Sequence, residues 1–466
     1  GDDHLPNGVA LAIPLLVAIA VSFLSPNFQM ISNVDDAAVG QVVRDAPVGA
    51  DFLQEYIGGH LHGQTKAGQP SLYQPETYQT REHDELLLGF SWPEDKYYPM
   101  VYPPFYYAAT SWLSALGEEL IGYLWTARLW LWLTGLAVSL SGFLLHRFYH
   151  PCRWMVSQGL FASIIFIPLL HNFNLAQKGS FLLLILSGTF VLLHHQRGLP
   201  AGLIFGLIAF KPHLGLTIGI AMLLKRQWRF SIGALATVAV LAGGSYWQSP
   251  QLWHDYVGVV GGMGDYVRTQ GYDPFDSHSL WGAIELSLGR FSPRLALIAT
   301  FLFGGVVVAL LTRAVWKPTS TDTPTFAKQF AAMILAMPML SPHFYSYDLT
   351  ILLLAFGLIV CAFPNYKLTD ANRSFDKNAD EAKPEDEAKP EDDHLDATAF
   401  PNMPQVSATM NNSVWRRSSN GKRLVYTMLA FYGLAGAFPK IAMMVNLQFS
   451  IPLMIGMLWL LGSEDE

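Results

Sequence analysis

The chain has 466 residues, of which 51% are hydrophobic, 13% aromatic and only 14% charged, and its formal net charge is −7. A soluble globular domain carries about 25% charged residues, so this composition excludes an ordinary soluble domain and indicates a helical membrane protein. The excess charge is acidic and comes mostly from residues 370–396, so no basic surface for nucleic acid is expected. The two cysteines, Cys152 and Cys361, are far apart beside or within predicted spans, which argues against a disulfide framework and against redox chemistry.

Apolar runs of near-spanning length recur along the chain and predict an all-α polytopic membrane protein with about twelve transmembrane helices. They occupy residues 9–24, 123–145, 154–170, 179–193, 199–210, 213–224, 230–246, 294–315, 326–340, 347–363, 424–438 and 441–461. We expect the first run to be an anchor rather than a cleaved signal peptide, because no small-residue cleavage site follows it. Lysine and arginine gather in short loops such as 194–198, 225–229 and 312–317, which should be cytoplasmic together with both termini.

Three long segments lie outside the predicted spans. A first outer loop, residues 25–122, should bear juxtamembrane helices, and a second large outer loop covers residues 248–293. Residues 365–421 contain the tandem repeat "EAKPED", and their charge and proline content predict a disordered acidic cytoplasmic linker. The predicted catalytic core is therefore 1–364, and a two-helix transmembrane segment at 422–466 follows the linker.

The apolar stretch 199–224 is interrupted at its centre by Lys211, Pro212 and His213. A lysine at the centre of a membrane helix costs about 2.5–3.5 kcal/mol, and proline removes a backbone donor. We therefore predict a hairpin of two short helices whose tip carries Lys211 to the outer face, since broken helices are tolerated where they line a polar cavity. The alternative is one kinked helix with Lys211 reaching along it to the interface. If the hairpin supplies two crossings, residues 102–116 cannot form a full span without reversing the orientation of the later helices. We therefore expect them to form a helix lying along the outer interface.

Chemically competent side chains are scarce within the predicted spans and concentrate at the outer face. Carboxylates there are candidate bases, and cations there are candidate ligands for a phosphate. The residues are Asp35, Asp36, Arg44, Asp45, Asp51, Glu55, Arg81, Gln177, Lys178, Lys211, His213, His343, Tyr345, Tyr347 and Asp348. This combination suits a lipid-phosphate substrate whose headgroup lies at the membrane interface.

Six segments, in this order, resemble glycosyltransferase family 87. They are the "DF" at 51–52 with Tyr56 and the "LY" at 72–73, "YPPF" (102–105), "NLAQKGSFLLLIL" (174–186), "AGLIFGLIAFKPHLGL" (201–216), "SHSLWG" (277–282) and "LSPHFYSYDL" (340–349). The resemblance covers roughly residues 9–363. It implies a GT-C-type fold and transfer of a sugar, mannose in the known members, from a polyprenyl-phosphate donor with inversion, without a metal or other cofactor. The sequence departs from the family pattern at Lys178, at His278 and in the long linker.

The resemblance also implies roles for individual residues. Asp51 corresponds to the aspartate of the "DF" motif and is the expected general base, with Asp35 or Asp36 as the competing base. An alternative role for Asp51 is to cap the helix that follows it. The residues expected to hold the donor phosphate are Lys211, Gln177, Lys178 and His213. The expected substrate-binding residues are Tyr102, His278, His343, Tyr347 and Asp348, each of which also suits a structural role at the rim.

The sequence thus predicts a multi-pass glycosyltransferase of the bacterial plasma membrane with its active site on the extracytoplasmic face. Its expected partners are a polyprenyl-phosphate sugar, a glycan or glycolipid acceptor and membrane lipids. A transporter or flippase of lipid-linked sugars remains an alternative, although it should show an internal repeat or polar residues through the membrane. A polysaccharide polymerase or ligase is a further alternative, and it would be expected to carry an arginine-rich outer loop.

Overall fold

The computed structural model describes residues 8–30, 46–64, 70–149, 159–160, 163–269, 276–362, 419–435 and 448–463. Within these ranges the chain is helical and contains no strand, apart from one isolated antiparallel bridge between Ser277 and Tyr345. The predicted all-α class is therefore confirmed for the described part of the chain. Asp35, Asp36 and almost all of the predicted linker 365–421 lie outside it.

The helices of the described residues are numbered in chain order. They are α1 (Gly8–Leu24), α2 (Phe52–Gln64), α3 (Pro75–Glu82), α4 (Glu85–Leu88), α5 (Pro104–Leu116), α6 (Gly122–Phe148), α7 (Ile167–Asn174), α8 (Gly179–His194), α9 (Gly198–Phe205), α10 (Pro212–Leu224), α11 (Trp228–Gln248), α12 (Pro250–Thr269), α13 (Leu280–Ile284), α14 (Pro293–Val315), α15 (Pro324–Leu340), α16 (Leu352–Ala362), α17 (Ser419–Leu434) and α18 (Ser450–Ser463). Short 3-10 turns cover Gly206–Phe210 and Ser346–Ile351, and π-helical turns cover Gly117–Ile121 and Glu285–Gly289.

Three helical stretches of the described residues are long and apolar enough to cross a membrane. They are Pro104–Phe148, Trp228–Gln248 and Pro293–Val315. Shorter apolar helices accompany them at Ala10–Leu24, Gly179–His194, Gly198–Phe210, Pro212–Leu224, Ser346–Ala362 and Ser450–Ser463. These bounds follow the predicted apolar runs closely except at 154–170, where the described residues 164–166 are not helical and α7 begins only at Ile167. The number of crossings stays a prediction.

The helices separate into a buried centre and an apolar exterior. Helix α15 is buried on all its faces, with Phe326 and Phe330 fully enclosed. A helix that is apolar all round is expected at the centre of a bundle. Helices α11 and α14, in contrast, expose large apolar side chains such as Leu235 at 67%, Phe301 at 73% and Leu302 at 68%. Exposed apolar surface on this scale suits contact with lipid.

The chain reverses direction at Lys211. The 3-10 turn ends at Phe210 and α10 begins at Pro212. The ring of Phe205 lies 3.9 Å from the position of a Cβ on Gly219, whereas one continuous helix would separate these residues by about 21 Å. The predicted hairpin is therefore confirmed, and the single kinked helix is excluded.

Close backbone packing holds the first arm of this hairpin against α11. A Cβ on Gly202 of α9 would lie 2.0 Å from the carbonyl oxygen of Phe230, and one on Gly233 of α11 would lie 2.4 Å from that of Leu199. Small residues at such crossings let two helix backbones approach, as is common within membranes. The crossing fixes the helix that leads to Lys211.

The predicted outer loops are largely helical. The first contains α2 to α5, and Gly122, at φ 75°, breaks the chain between the π turn that ends α5 and the start of α6. Helix α5 consequently packs on α2: Ser114 donates a hydrogen bond of 2.6 Å to the carbonyl oxygen of Tyr56. The second outer loop contains the helix α12, which the sequence reading described only as loop because glycine lowers helix propensity.

The expectation about cysteine was wrong, because Cys361 at the end of α16 is disulfide-bonded. Its partner lies outside the described residues. Distance along the sequence does not measure distance in space once helices pack side by side.

Candidate active site

Three helical N-termini meet at one end of the bundle. Lys178 directly precedes α8, Lys211 directly precedes α10, and Asp348 lies in the first turn of the 3-10 segment Ser346–Ile351. The N-terminus of a helix presents unsatisfied N–H groups and a partial positive charge. Helix α2 packs against the same region and contributes Asp51, just before its first residue, and Glu55.

Lys178 and Glu55 form a buried ion pair. The Nζ atom of Lys178 donates to Oε1 of Glu55, and the two side chains are 1% and 0% exposed. The hydroxyl of Tyr106 donates to the same carboxylate oxygen over 3.0 Å. The ammonium also lies 4.3 Å from the centre of the Tyr102 ring, close enough for a cation–π contact.

Lys211 forms a second buried ion pair with Asp348. Its Nζ atom donates to Oδ1 of Asp348 over 2.7 Å, and both side chains are almost fully buried. The ammonium lies 5.4 Å from the centre of the Tyr347 ring. The cost of burying Lys211, which the sequence left to be compensated, is thus offset in this structure by a carboxylate.

Asp51 lies beside these pairs without a lysine bonded to it. Its Oδ2 atom accepts a hydrogen bond from the side-chain amide of Gln177. Burial raises the pKa of Asp51 above its ordinary value, and the charge of Lys178 and the bond from Gln177 oppose that rise. A carboxylate with a raised pKa is a stronger base when ionised, which is the property a general base requires.

Two residues of left-handed backbone precede the partners of this hydrogen bond. Ala50, at φ 46°, comes directly before Asp51, and Ala176, at φ 51°, comes directly before Gln177. Non-glycine residues rarely adopt this conformation, and those that do concentrate at functional sites. The backbone is therefore strained at both points that set the contact between Asp51 and Gln177.

Gly179 allows the N-terminus of α8 to touch the turn Ser346–Ile351. A Cβ on Gly179 would lie 2.6 Å from the carbonyl oxygen of Tyr347 and 2.7 Å from Oδ1 of Asn172. Only a residue without a side chain permits α8 to begin so close to the turn that carries Asp348. The glycine therefore fixes the spacing between Lys178 and Asp348.

The chain was compared with models of known protein families. The family model of glycosyltransferase family 87 matches residues 100–342, more than half of the 466 residues. The chain belongs to glycosyltransferase family 87. The resemblance seen in the sequence is thereby confirmed, although the match is shorter than the range 9–363 that we expected. Curated proteins and solved structures gave no match.

The matched region of this family 87 glycosyltransferase covers only part of the site. It includes Tyr102, Gln177, Lys178 and Lys211 and ends one residue before His343. Asp51 and Glu55 precede it. The family membership therefore supports a membrane glycosyltransferase, and the roles of single residues rest on their geometry.

His213 and His343 lie close to the Lys211 pair. His213 lies near both the ammonium of Lys211 and the ring of His343. The ring of His343 packs edge-on against Trp281, with centroids 5.9 Å apart, and burial lowers the pKa of His343. Both imidazoles are placed to donate or accept hydrogen bonds as neutral groups.

The other predicted substrate ligand, His278, lies in different surroundings. Its backbone N–H donates to the carbonyl oxygen of Phe344 over 2.6 Å, and its Nδ1 atom is 2.9 Å from the hydroxyl oxygen of Ser450 in α18. Burial lowers the pKa of His278 to about 3, so the ring is neutral. Gln448 also donates to the carbonyl oxygen of Ser277 over 3.1 Å. These contacts join the last helix to the loop before α13.

The sequence places Glu55 among the charges of the outer face without a separate role, and it gives no indication of Tyr106. Glu55 follows Asp51 by one helical turn, a spacing that places both carboxylates on one face of a helix. That spacing was an available signal. No group of three or more histidine, cysteine, aspartate or glutamate side chains that could hold a metal ion occurs among the residues that the structure describes.

Proposed function

We propose that this family 87 enzyme transfers mannose from a polyprenyl-phosphate donor to a hydroxyl of a lipid-linked or surface glycan, with inversion. The observation that carries the proposal is the buried cluster of Asp51, the pair Lys178–Glu55 and the pair Lys211–Asp348. It combines a free proton acceptor with two cations at helix N-termini. A sugar-phosphate transferase requires both.

Asp51 is the proposed base. In the reaction, the acceptor oxygen bonds to the anomeric carbon, and the bond from that carbon to the phosphate oxygen breaks. The bonding electron pair leaves with the phosphate, and the acceptor proton passes to Asp51. The raised pKa of Asp51 suits this step, and the bond from Gln177 orients the carboxylate.

Lys178 and Lys211 are the proposed ligands of the departing phosphate. Each ammonium has three N–H donors, so each can keep its carboxylate partner and still donate to a phosphate oxygen. The N-termini of α8 and α10 add their partial positive charge at the same place. His213, His343, Tyr102 and Tyr347 are proposed to position the sugar and the acceptor. No metal or other cofactor enters this mechanism.

We further propose a multi-pass enzyme of the bacterial plasma membrane, with a GT-C-type fold, both termini in the cytoplasm and the site extracytoplasmic. Contacts at the opposite end of the bundle support this orientation. Lys225 donates to the carbonyl oxygens of Val315 and Lys317 over 2.8 and 3.1 Å, and Gln196 donates to Asp322 over 3.1 Å. The lysine- and arginine-bearing loops therefore gather away from the site, at the end that the positive-inside rule assigns to the cytoplasm, whereas the disulfide of Cys361 at the same end is unusual for that compartment.

The test is transfer from radiolabelled polyprenyl-phosphate mannose to an octyl α-mannoside by the protein reconstituted in vesicles. Wild type should consume donor, Asp51→Asn should be slower by about 10²–10⁴-fold, and Lys211→Met by about 10²-fold. Asp95→Asn, which changes an exposed carboxylate of the same loop, is the matched control. Donor that crosses the vesicle membrane intact would replace the transferase with a flippase, and an active Asp51→Asn would remove Asp51 as the base.

A further inference from the structure

A second concave site lies between the two outer loops. It is a cleft of about 430 Å³ between the start of α3, the segment before α5 and the helix α12. Its lining includes Tyr73, Tyr78, His254 and Asp255. Ligand pockets typically measure about 300–1,000 Å³ and combine apolar walls with a few polar groups, and this cleft fits both descriptions.

The walls suit an uncharged, hydroxyl-rich ligand. Tyr73 and Tyr78 line the cleft, and the C–H faces of a sugar ring can pack on the part of each residue that stays exposed, which is 4% in both cases. Asp255, which accepts a hydrogen bond of 2.8 Å from Gln251, and the largely exposed His254 supply polar groups at the rim. No lysine or arginine is among the lining residues, so the cleft lacks the cations that would hold a phosphate.

The cleft shares a wall with the candidate active site. The hydroxyl of Tyr73 donates to the carbonyl oxygen of Tyr102 over 2.7 Å, and the Tyr102 ring lies against the ammonium of Lys178. The ring of Tyr73 also packs against Tyr256 of α12, with centroids 5.8 Å apart. One layer of tyrosines therefore separates the cleft from the proposed site of phosphate departure.

We propose that this cleft binds the glycan chain of the acceptor, at sugar residues remote from the reacting hydroxyl. The inference rests on the proposed function, since it assumes a glycan acceptor. Binding energy from these remote sugars would then tighten binding of the acceptor equally in the ground state and the transition state. The enzyme would accordingly prefer an oligosaccharide acceptor to a monosaccharide.

Two glycines of α12 make the idea testable without disturbing the fold. Gly258 and Gly262 lie one helical turn apart and both line the cleft. A Cβ on either would meet no other atom within 4 Å. Gly258→Leu should therefore fill the cleft, and leucine also favours the helix more than glycine does. Gly261→Leu, at an equally open position outside the lining, is the matched control.

The experiment compares octyl glycosides of α-mannose and of an α-mannose trisaccharide as acceptors. Gly258→Leu should raise KM for the trisaccharide by about tenfold, leaving kcat and the monosaccharide KM unchanged, and Gly261→Leu should match wild type. In parallel, binding of the trisaccharide to the solubilised protein is titrated by saturation-transfer NMR. Binding by wild type that Gly258→Leu abolishes supports the cleft even if no transfer is detected, an outcome that would overturn the proposed function alone. Equal KM values and equal binding in both variants would overturn the cleft as an acceptor subsite.

Discussion

The buried pair of Lys178 and Glu55 allows stability and activity to be separated. Removing one partner of a buried ion pair usually costs about 3–5 kcal/mol, because the other charge stays buried alone. After Glu55→Gln, Lys178 keeps the ring of Tyr102 and the attraction of Asp51. The cation–π contact is worth about 0.5–2 kcal/mol, so we expect a loss of about 2–3 kcal/mol. Lys178→Met should cost a similar amount, because Glu55 then keeps only the hydroxyl of Tyr106.

The double variant Glu55→Gln/Lys178→Met should recover most of this stability, since neither charge remains to be buried. The coupling free energy of the cycle should be about 3–5 kcal/mol, measured by unfolding in detergent with tryptophan fluorescence. Sugar transfer should nevertheless stay lost in the double variant, because the cation at the N-terminus of α8 is absent.

An exposed pair provides the control for this cycle. Arg81 and Asp84 are 41% and 25% exposed and 3.0 Å apart, so the cycle Arg81→Met/Asp84→Asn should give less than about 1 kcal/mol. If the losses of Glu55→Gln and Lys178→Met simply add, the two groups are not coupled in the folded protein. If the stable double variant transfers sugar at the wild-type rate, Lys178 has no part in catalysis.

Three further predictions follow from single residues. Because Asp51 must be ionised to accept a proton and burial raises its pKa, transfer should decline as the pH falls, with a midpoint above the ordinary pKa of an aspartate. Asp51→Asn should also unfold at a higher temperature than wild type at neutral pH, since ionising a buried carboxyl disfavours the folded state. An unchanged or lower unfolding temperature would contradict this. Gly179→Ala should lower the free energy of unfolding by about 1–3 kcal/mol, because the new Cβ meets the carbonyl oxygen of Tyr347. Gly188→Ala in the same helix has room for the Cβ and should leave the free energy of unfolding unchanged. Thermal unfolding of both variants tests this difference. Burial raises the pKa of Glu82 to about 9, so the stability that neutral Glu82 contributes is present in acid and is lost as the pH rises toward and through 9. The stability of Glu82→Gln should therefore increase relative to wild type between pH 6 and 10. A difference that stays constant over this range would refute the raised pKa of Glu82.

Much of the fold was readable from hydropathy. Most of the apolar runs, although not 154–170, predicted the described helices to within a few residues, because a membrane helix must be apolar over most of its length. The hairpin at Lys211 was also predictable, since a lysine followed by proline cannot sit in an uninterrupted apolar helix without a large cost. Helix α12 was not predicted, because its four glycines lower the helix propensity of the segment.

The site was only partly readable. The sequence placed Asp51, Gln177, Lys178, Lys211 and Asp348 on one face of the membrane, and the structure brings them together. It did not indicate that each lysine pairs with a carboxylate, because such pairing depends on how distant helices pack. The contact between His278 and Ser450 could not be predicted for the same reason, since the long acidic segment separates the last helix from the predicted core along the sequence.

The two ion pairs also constrain how the protein can be made. Glu55 precedes Lys178 by 123 residues, and Lys211 precedes Asp348 by 137. During synthesis, Lys178 can find its partner in a loop that has already emerged, but Lys211 must wait until the chain has been extended to Asp348. Until then, the hairpin carries an uncompensated charge, which is costly within lipid. The candidate active site is therefore completed late in membrane insertion, and a truncated chain that ends before Asp348 should lack the partner that offsets the burial of Lys211.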